Sequence, residues 1–294
     1  MKIVRIAVTV LFVAVTGVFL SSPATYMQSF LDGVSVWAYN VLPALFPFAV
    51  LTALASKFFP KSKISVCKTL FGVKADGIFL SSLLCGYPIG AKTISESNFD
   101  SQTATRICSF CSTASPIFIV ATVGAKLLGS TVATLILLFS HWLSAIVCGL
   151  LYRKKTEEQN FVQNDFSPAD VGNTITSSLL SVLSVGGLIA LFYLLGDIVK
   201  SLLPGAIGGS LPVNFLMGLL EMTNGIISVC AICDVATATA LSSFLLAFGG
   251  MCVFAQSITF LSAKNVKPLA FLKIKFVQGS IATIISFVAA KIFL

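Results

Sequence analysis

The sequence predicts an all-α polytopic membrane protein: an inverted repeat of three crossings plus a re-entrant hairpin, preceded by one extra N-terminal helix. Three observations carry that prediction. The 294 residues are 56% hydrophobic and only 10% charged, with a mean hydropathy of +0.98, outside the range of ordinary soluble domains. The apolar residues gather into runs near the length of about 20 residues that a helix needs to cross ~30 Å of hydrocarbon. Backbone breakers then recur in the same order in the two halves of the chain. The net charge of +8 does not point to nucleic acid, because the lysines and arginines sit in short loops and at helix ends, where they act as topology signals.

The first crossing is expected at about Ile3 to Leu20, behind Lys2 and Arg5. A secretory leader would share that pattern, but Ser22-Pro23-Ala24 is a poor cleavage site with its internal proline, so an uncleaved helix is expected. A second crossing runs from about Val34 to Phe58, interrupted by Pro43 and Pro47, and leads into a basic loop with Lys57, Lys61, Lys63, Lys68 and Lys74. The apolar run Gly77 to Gly90 is too short to cross and return, so it reads as a re-entrant hairpin ending in Gly86-Tyr87-Pro88-Ile89-Gly90. Thr103 to Leu128 spans with Ser112 to Pro116 at its middle, and Val132 to Tyr152 spans again.

After a polar linker, the pattern repeats with Val171 to Leu203, a short run Phe215 to Val229, Thr237 to Ser262 and Leu269 to Leu294. The chain therefore divides into an N-terminal helix and connection (1–29), a first repeat (30–152), a cytoplasmic linker (153–170) and a second repeat (171–294). Aligning the halves sets F-L-S-S-L-L at 79–84 against F-L-M-G-L-L at 215–220, and Ala104, Thr105, Ser109 and Phe110 against Ala238, Thr239, Ser243 and Phe244. With Lys2, Arg5, the 57–74 lysines and Arg153-Lys154-Lys155 all inside, the second half runs opposite to the first.

Non-helical backbone survives at membrane depth only where protein or a water-filled cavity satisfies its polar groups. The expected breaks are Gly86 to Gly90, Ser112 to Pro116, Thr223-Asn224-Gly225 and Phe248-Gly249-Gly250. Any one of them could be a packing point or kink, but four at repeat-related places imply a shared interior that holds a solute. The candidate solute-binding residues are Gly86, Tyr87, Pro88, Gly90, Lys92, Ser112, Thr113, Ser115, Thr223, Asn224, Gly225, Gly249, Gly250 and Gln256.

Glu221 is the carboxylate with apolar residues on both sides inside an apolar run, which makes it the candidate coupling-ion or proton carrier. A structural alternative is that it satisfies a lysine or a broken backbone. Glu96 and Arg106, beside Lys92 at the first hairpin's inner end, are candidate gate residues, although Lys92 and Glu96 are spaced to pair along one helix.

Cys108/Cys111 and Cys230/Cys233 form two C-x-x-C pairs, but they are not repeat-equivalent and each lies in an apolar helix, so no metal site or other cofactor is expected. His141 is the single histidine and reads as an interhelical hydrogen bonder. Without H-E-x-x-H, a P-loop or G-x-S-x-G, the sequence offers no basis for an enzyme.

Together, L-P-A-L-F-P-F (42–48), C-G-Y-P-I-G-A-K (85–92), C-S-T-A-S-P (111–116), L-L-E-M-T-N-G-I (219–226) and A-F-G-G-M-C-V-F-A-Q (247–256) resemble the sporulation integral membrane proteins of the YlbJ type. The resemblance covers the chain from about residue 30 to its end. It implies the nucleoside-recognition or gate domain shared with the ferrous-iron permease core, the spore maturation proteins and, more distantly, the concentrative nucleoside transporters. It also implies a transporter fold with paired re-entrant hairpins and, for the sporulation branch, movement of dipicolinate across the membrane around the developing spore.

The expected function is thus secondary transport of a small, anionic organic solute. A nucleoside or metal-ion permease and a non-transporting sporulation component stay open as alternatives. The expected partners are the lipid bilayer, the solute, a coupling proton or sodium ion and, as an open option, a second copy of the chain; nucleic acid is not among them.

Overall fold

The computed structural model describes residues 2–56, 65–154, 169–204 and 208–294. Lys57, Lys61 and Lys63 of the basic loop, and residues 155–168 of the expected linker, lie outside the described residues. The described residues are helical with no strand. Among the described residues, five helical runs are long and apolar enough to cross a bilayer: Pro23–Ala55, Thr131–Leu151, Val171–Ser201, Val235–Lys264 and Pro268–Phe293.

The chain opens with α1 (Lys2–Ser21), then α2 (Pro23–Val36) and α3 (Leu42–Ser56), joined by a π-helical turn at Trp37–Val41. The second helix thus begins at Pro23, well before the expected Val34, since proline fits a helix's first turn where no N–H is needed. Pro43 and Pro47 do not divide it. The widened turn at 37–41 contains Tyr39, whose carbonyl the ring of Pro43 would otherwise meet.

Short helices α4 (Val66–Phe71), α5 (Asp76–Cys85), α6 (Ile89–Glu96) and α7 (Ser101–Ile107) follow, and α5 and α6 pack on each other as a hairpin. Residues 108–115 leave the helical path before Pro116 restarts it, and the helix continues as a π-helical segment at Phe118–Leu128. Next come α8 (Thr131–Leu151) and α9 (Ala169–Ser201). The rest of the chain forms a second hairpin, α10 (Leu211–Leu220) with α11 (Met222–Ile232), then α12 (Val235–Phe248), α13 (Gly250–Leu261) and α14 (Pro268–Phe293).

The order of elements is the same in both halves: long helix, hairpin, interrupted helix, long helix. Contacts between the halves are reciprocal as well. The second arm of the first hairpin, α6, packs on α13, while the second arm of the second hairpin, α11, packs on Phe118–Leu128. Each hairpin therefore leans on the interrupted helix of the opposite half. Phe139, Leu143, Ile284, Phe287 and Val288 are exposed on α8 and α14, where lipid tails would cover them.

Candidate functional site

The interruptions meet at one cavity of about 30 Å³. Its polar lining is Tyr87, Ser115, Glu221, Thr223 and Gln256, and its apolar wall includes Val41, Leu45, Phe118, Val185, Ile189 and Val253. Part of this lining comes from the starts of four helices, the rest from α3, α9, the turn at Trp37–Val41 and the middle of α13. Tyr87 precedes α6, Ser115 precedes the helix resuming at Pro116, Glu221 caps α11, and Cys252 and Val253 lie in the first turn of α13. Such ends carry N–H groups without intrahelical partners and the positive end of the helix dipole.

At the first hairpin, Gly86 takes φ +75° and Tyr87–Pro88 is a cis peptide. A Cβ on Gly86 or Gly90 would overlap main-chain atoms of Ser115 or Cys111, so the hairpin tip and the 108–115 break lie backbone to backbone. Side chains from several helices satisfy this break. Ser82 Oγ donates to Cys111 O at 2.5 Å, Thr113 Oγ1 donates to Ser82 O at 2.8 Å, and the Ala114 N–H donates to His141 Nε2 at 2.8 Å. Lys275 Nζ donates to Ser112 O at 2.6 Å. Ser115 Oγ accepts from the Phe118 N–H at 3.3 Å and so caps the restarted helix. The Tyr87 hydroxyl crosses to the other half and donates to Leu246 O.

The second hairpin turns at Glu221, not at the expected Thr223-Asn224-Gly225, which lies in the first turn of α11. Glu221 accepts from the Thr223 N–H at 3.0 Å and the Asn224 N–H at 2.7 Å, so its own carboxylate makes the cap that ends one arm and starts the next. It is 2% exposed and lines the cavity. Gly225 lies against Gly218 where the two arms cross closely. Gly249 and Gly250 adopt φ +86° and +72°, a bend that a side chain would strain, and Gly250 abuts Leu220 O and Met222 N of the hairpin turn.

The remaining candidates lie away from the cavity's lining. Pro88 borders a smaller adjoining space with Ser181 and Val185, and Lys92 donates to the Ser177 hydroxyl of α9. Glu96 is exposed at the end of α6. Arg106 donates to Lys154 O at 2.5 Å and to Thr103 Oγ1 at 3.1 Å, tying α7 to the chain just after α8. Nearby Asp100 caps α7, and the Thr103 N–H donating to it holds its carboxyl below the usual carboxylate range. Thus Gly86, Gly90, Ser112, Thr113, Gly225, Gly249 and Gly250 shape the joints, while Tyr87, Ser115, Glu221, Thr223 and Gln256 reach the cavity.

Sequence reasoning missed Lys275, Gln278 and Ser82, and gave His141 no part in the break. Lys275 and Gln278 do carry a signal: they share the face of α14 that includes Phe271 and Ala282, all buried, whereas Lys273 lies on the other side and is exposed.

The chain is similar to the sporulation integral membrane protein YlbJ of Bacillus subtilis (strain 168). The two are 25% identical over 335 aligned positions that cover 96% of this chain and 82% of the relative. That match supports a YlbJ-type protein. The relative is an integral membrane protein and this chain has several membrane-length apolar helices, so the chain is a multi-pass membrane protein in a lipid bilayer. No protein-family model matches the chain, and no solved structure matches it.

Proposed function

We propose that the chain is a secondary transporter, not an enzyme, and that it moves a small anionic organic solute such as dipicolinate through a site between two re-entrant hairpins of an inverted repeat. One observation carries this reading: four helix starts from both halves contribute to the lining of one cavity. Broken helices with convergent N-terminal ends suit the negative groups of a solute. The reciprocal packing of each hairpin on the opposite half supports the inverted repeat. The relative's name, a sporulation integral membrane protein, supports a sporulation role.

At about 30 Å³ the cavity has room for only a few waters, at about 10–15 Å³ each, so admission of a solute requires the hairpins to part. Glu221 already bonds α11's first N–H groups, which leaves it as the group whose protonation or cation binding would couple to the movement.

The test is uptake of labelled pyridine-2,6-dicarboxylate by proteoliposomes under imposed proton and sodium gradients. Gradient-dependent uptake is expected, with the dependence lost in Glu221→Gln. Silent liposomes across organic acids would remove the transporter reading, and unchanged gradient dependence in the variant would remove Glu221 from the coupling.

A further inference from the structure

Behind the cavity wall lies a second group of buried polar atoms, and those left without partners are donors. Lys275 is 1% exposed, and its ammonium donates to Ser112 O at 2.6 Å and to Gln278 Oε1 at 2.9 Å. The same nitrogen sits 5.3 Å from the centre of the Tyr87 ring. Among the described residues no carboxylate pairs with it. An ammonium can only donate, so the Gln278 atom facing it is the oxygen, which leaves Nε2 pointing elsewhere with its two hydrogens. That Nε2 is buried with no partner.

The same reasoning applies to His141. Its Nε2 accepts from the Ala114 N–H, so in the neutral ring the proton resides on Nδ1, which is likewise buried with no partner. His141 and Gln278 are each 0% exposed. Buried donors are seldom left unmatched in native interiors, and a buried charge without a counter-charge is strongly disfavoured. The cluster therefore offers donors and no free acceptor, and a carboxylate is the group that would match those donors and favour the charged form of Lys275. Its position is set by Ser112 and Ala114, whose main-chain groups bond Lys275 and His141, and by the Tyr87 ring facing Lys275; Ala114 and Tyr87 also line the cavity.

We propose that Lys275, Gln278 and His141 form a carboxylate-binding subsite, reached from the cavity past Tyr87, for one acidic group of a small organic anion. The subsite rests on the transporter reading only in taking that anion to be the transported solute. The ammonium supplies the charge, and the Gln278 amide and the His141 Nδ1–H supply direction. Tyr87 separates the subsite from the cavity, so displacement of its ring is the opening step.

The test uses the full chain in detergent and in liposomes. Pyridine-2,6-dicarboxylate and succinate are expected to raise the melting midpoint of the wild type, and the neutral pyridine-2,6-dicarboxamide is not. Lys275→Gln should weaken dicarboxylate binding at least tenfold. Gln278→Glu places the protein's own carboxylate beside Lys275, so it should fold with an equal or higher midpoint and also weaken binding at least tenfold, which keeps the test decisive if Lys275→Gln does not fold. Failure of both acids to stabilise the wild type, or wild-type affinity in either folded variant, overturns the subsite. Uptake that is indifferent to both substitutions removes the subsite and leaves the transporter reading, whereas lysine-dependent binding without uptake of any acid removes the transporter reading and leaves the subsite.

Discussion

In the first half, residues 108–115 leave the helix before Pro116 restarts it; in the second, Gly249 alone separates α12 from α13. The longer gap exposes several main-chain groups, and side chains from α5, α8 and α14 satisfy them: Ser82, His141 and Lys275. The shorter gap needs less help: two glycines absorb the bend, the Tyr87 hydroxyl takes up the Leu246 carbonyl in the last turn before it, and the neighbouring hairpin is capped by its own Glu221. The two joints thus do the same architectural job by different chemistry. One is stitched by side chains from three other helices, while the other closes largely on itself, with Tyr87 as its single stitch from the opposite half.

If that contrast is right, substitutions at the stitched joint should cost more than those at the self-closed one, as read by denaturation of the purified protein in detergent. The largest effect is expected at Gly90, where any side chain overlaps the Cys111 carbonyl. Gly90→Val should cost about 3 kcal/mol or more, because the clash is with main chain that cannot turn aside. A near-normal midpoint would mean that the hairpin and the break are not in backbone contact.

His141→Leu comes next, since it strips the acceptor from the buried Ala114 N–H. An orphaned buried donor costs about 1–3 kcal/mol, so a clear fall in the midpoint is expected, and indifference would show that the break finds another partner.

At the self-closed joint, Glu221→Ala removes both cap bonds and should cost about 1–2 kcal/mol, while Glu221→Gln keeps one acceptor and should cost less. If the Ala variant proved more damaging than the substitutions at Gly90 and His141, the ranking of the two joints would be reversed. The smallest effect, and one of opposite sign, belongs to Gly187 in the middle of α9, where a Cβ would meet nothing within 4 Å. Gly187→Ala should stabilise by up to about 1 kcal/mol, and destabilisation there would point to a neighbour on that face.

The contrast also explains which parts were legible in the sequence. Gly86 to Pro88, Ser112 to Pro116 and Gly249-Gly250 break helices through local chemistry, which residue type alone reveals. The second hairpin turns two residues before the break that the sequence predicts, because Asn224 and Gly225 resemble a break more than Glu221 does. Glutamate is an uncommon cap, and burial decides its use here. The stitches of the first joint were harder to see, because each is a long-range bond whose importance depends on where another helix lies. Lys275 stands near Lys267 and Lys273 and so reads as one more interfacial charge until the helix face is worked out. The π-helical turn at Trp37–Val41 was hidden in the same way, since Pro43 advertises a break while the widened turn ahead of it prevents one.

Thr223, 1% exposed and part of the cavity wall, offers the most direct test that the joints meet around a solute. The measurement is maleimide modification of Thr223→Cys in liposomes, read by mass spectrometry of the peptide carrying position 223, with and without saturating pyridine-2,6-dicarboxylate. Slow modification, made slower still by the acid, is the predicted result. A folded protein whose position 223 never reacts, or reacts at the same rate in the presence of the acid, would contradict a solute site at that place.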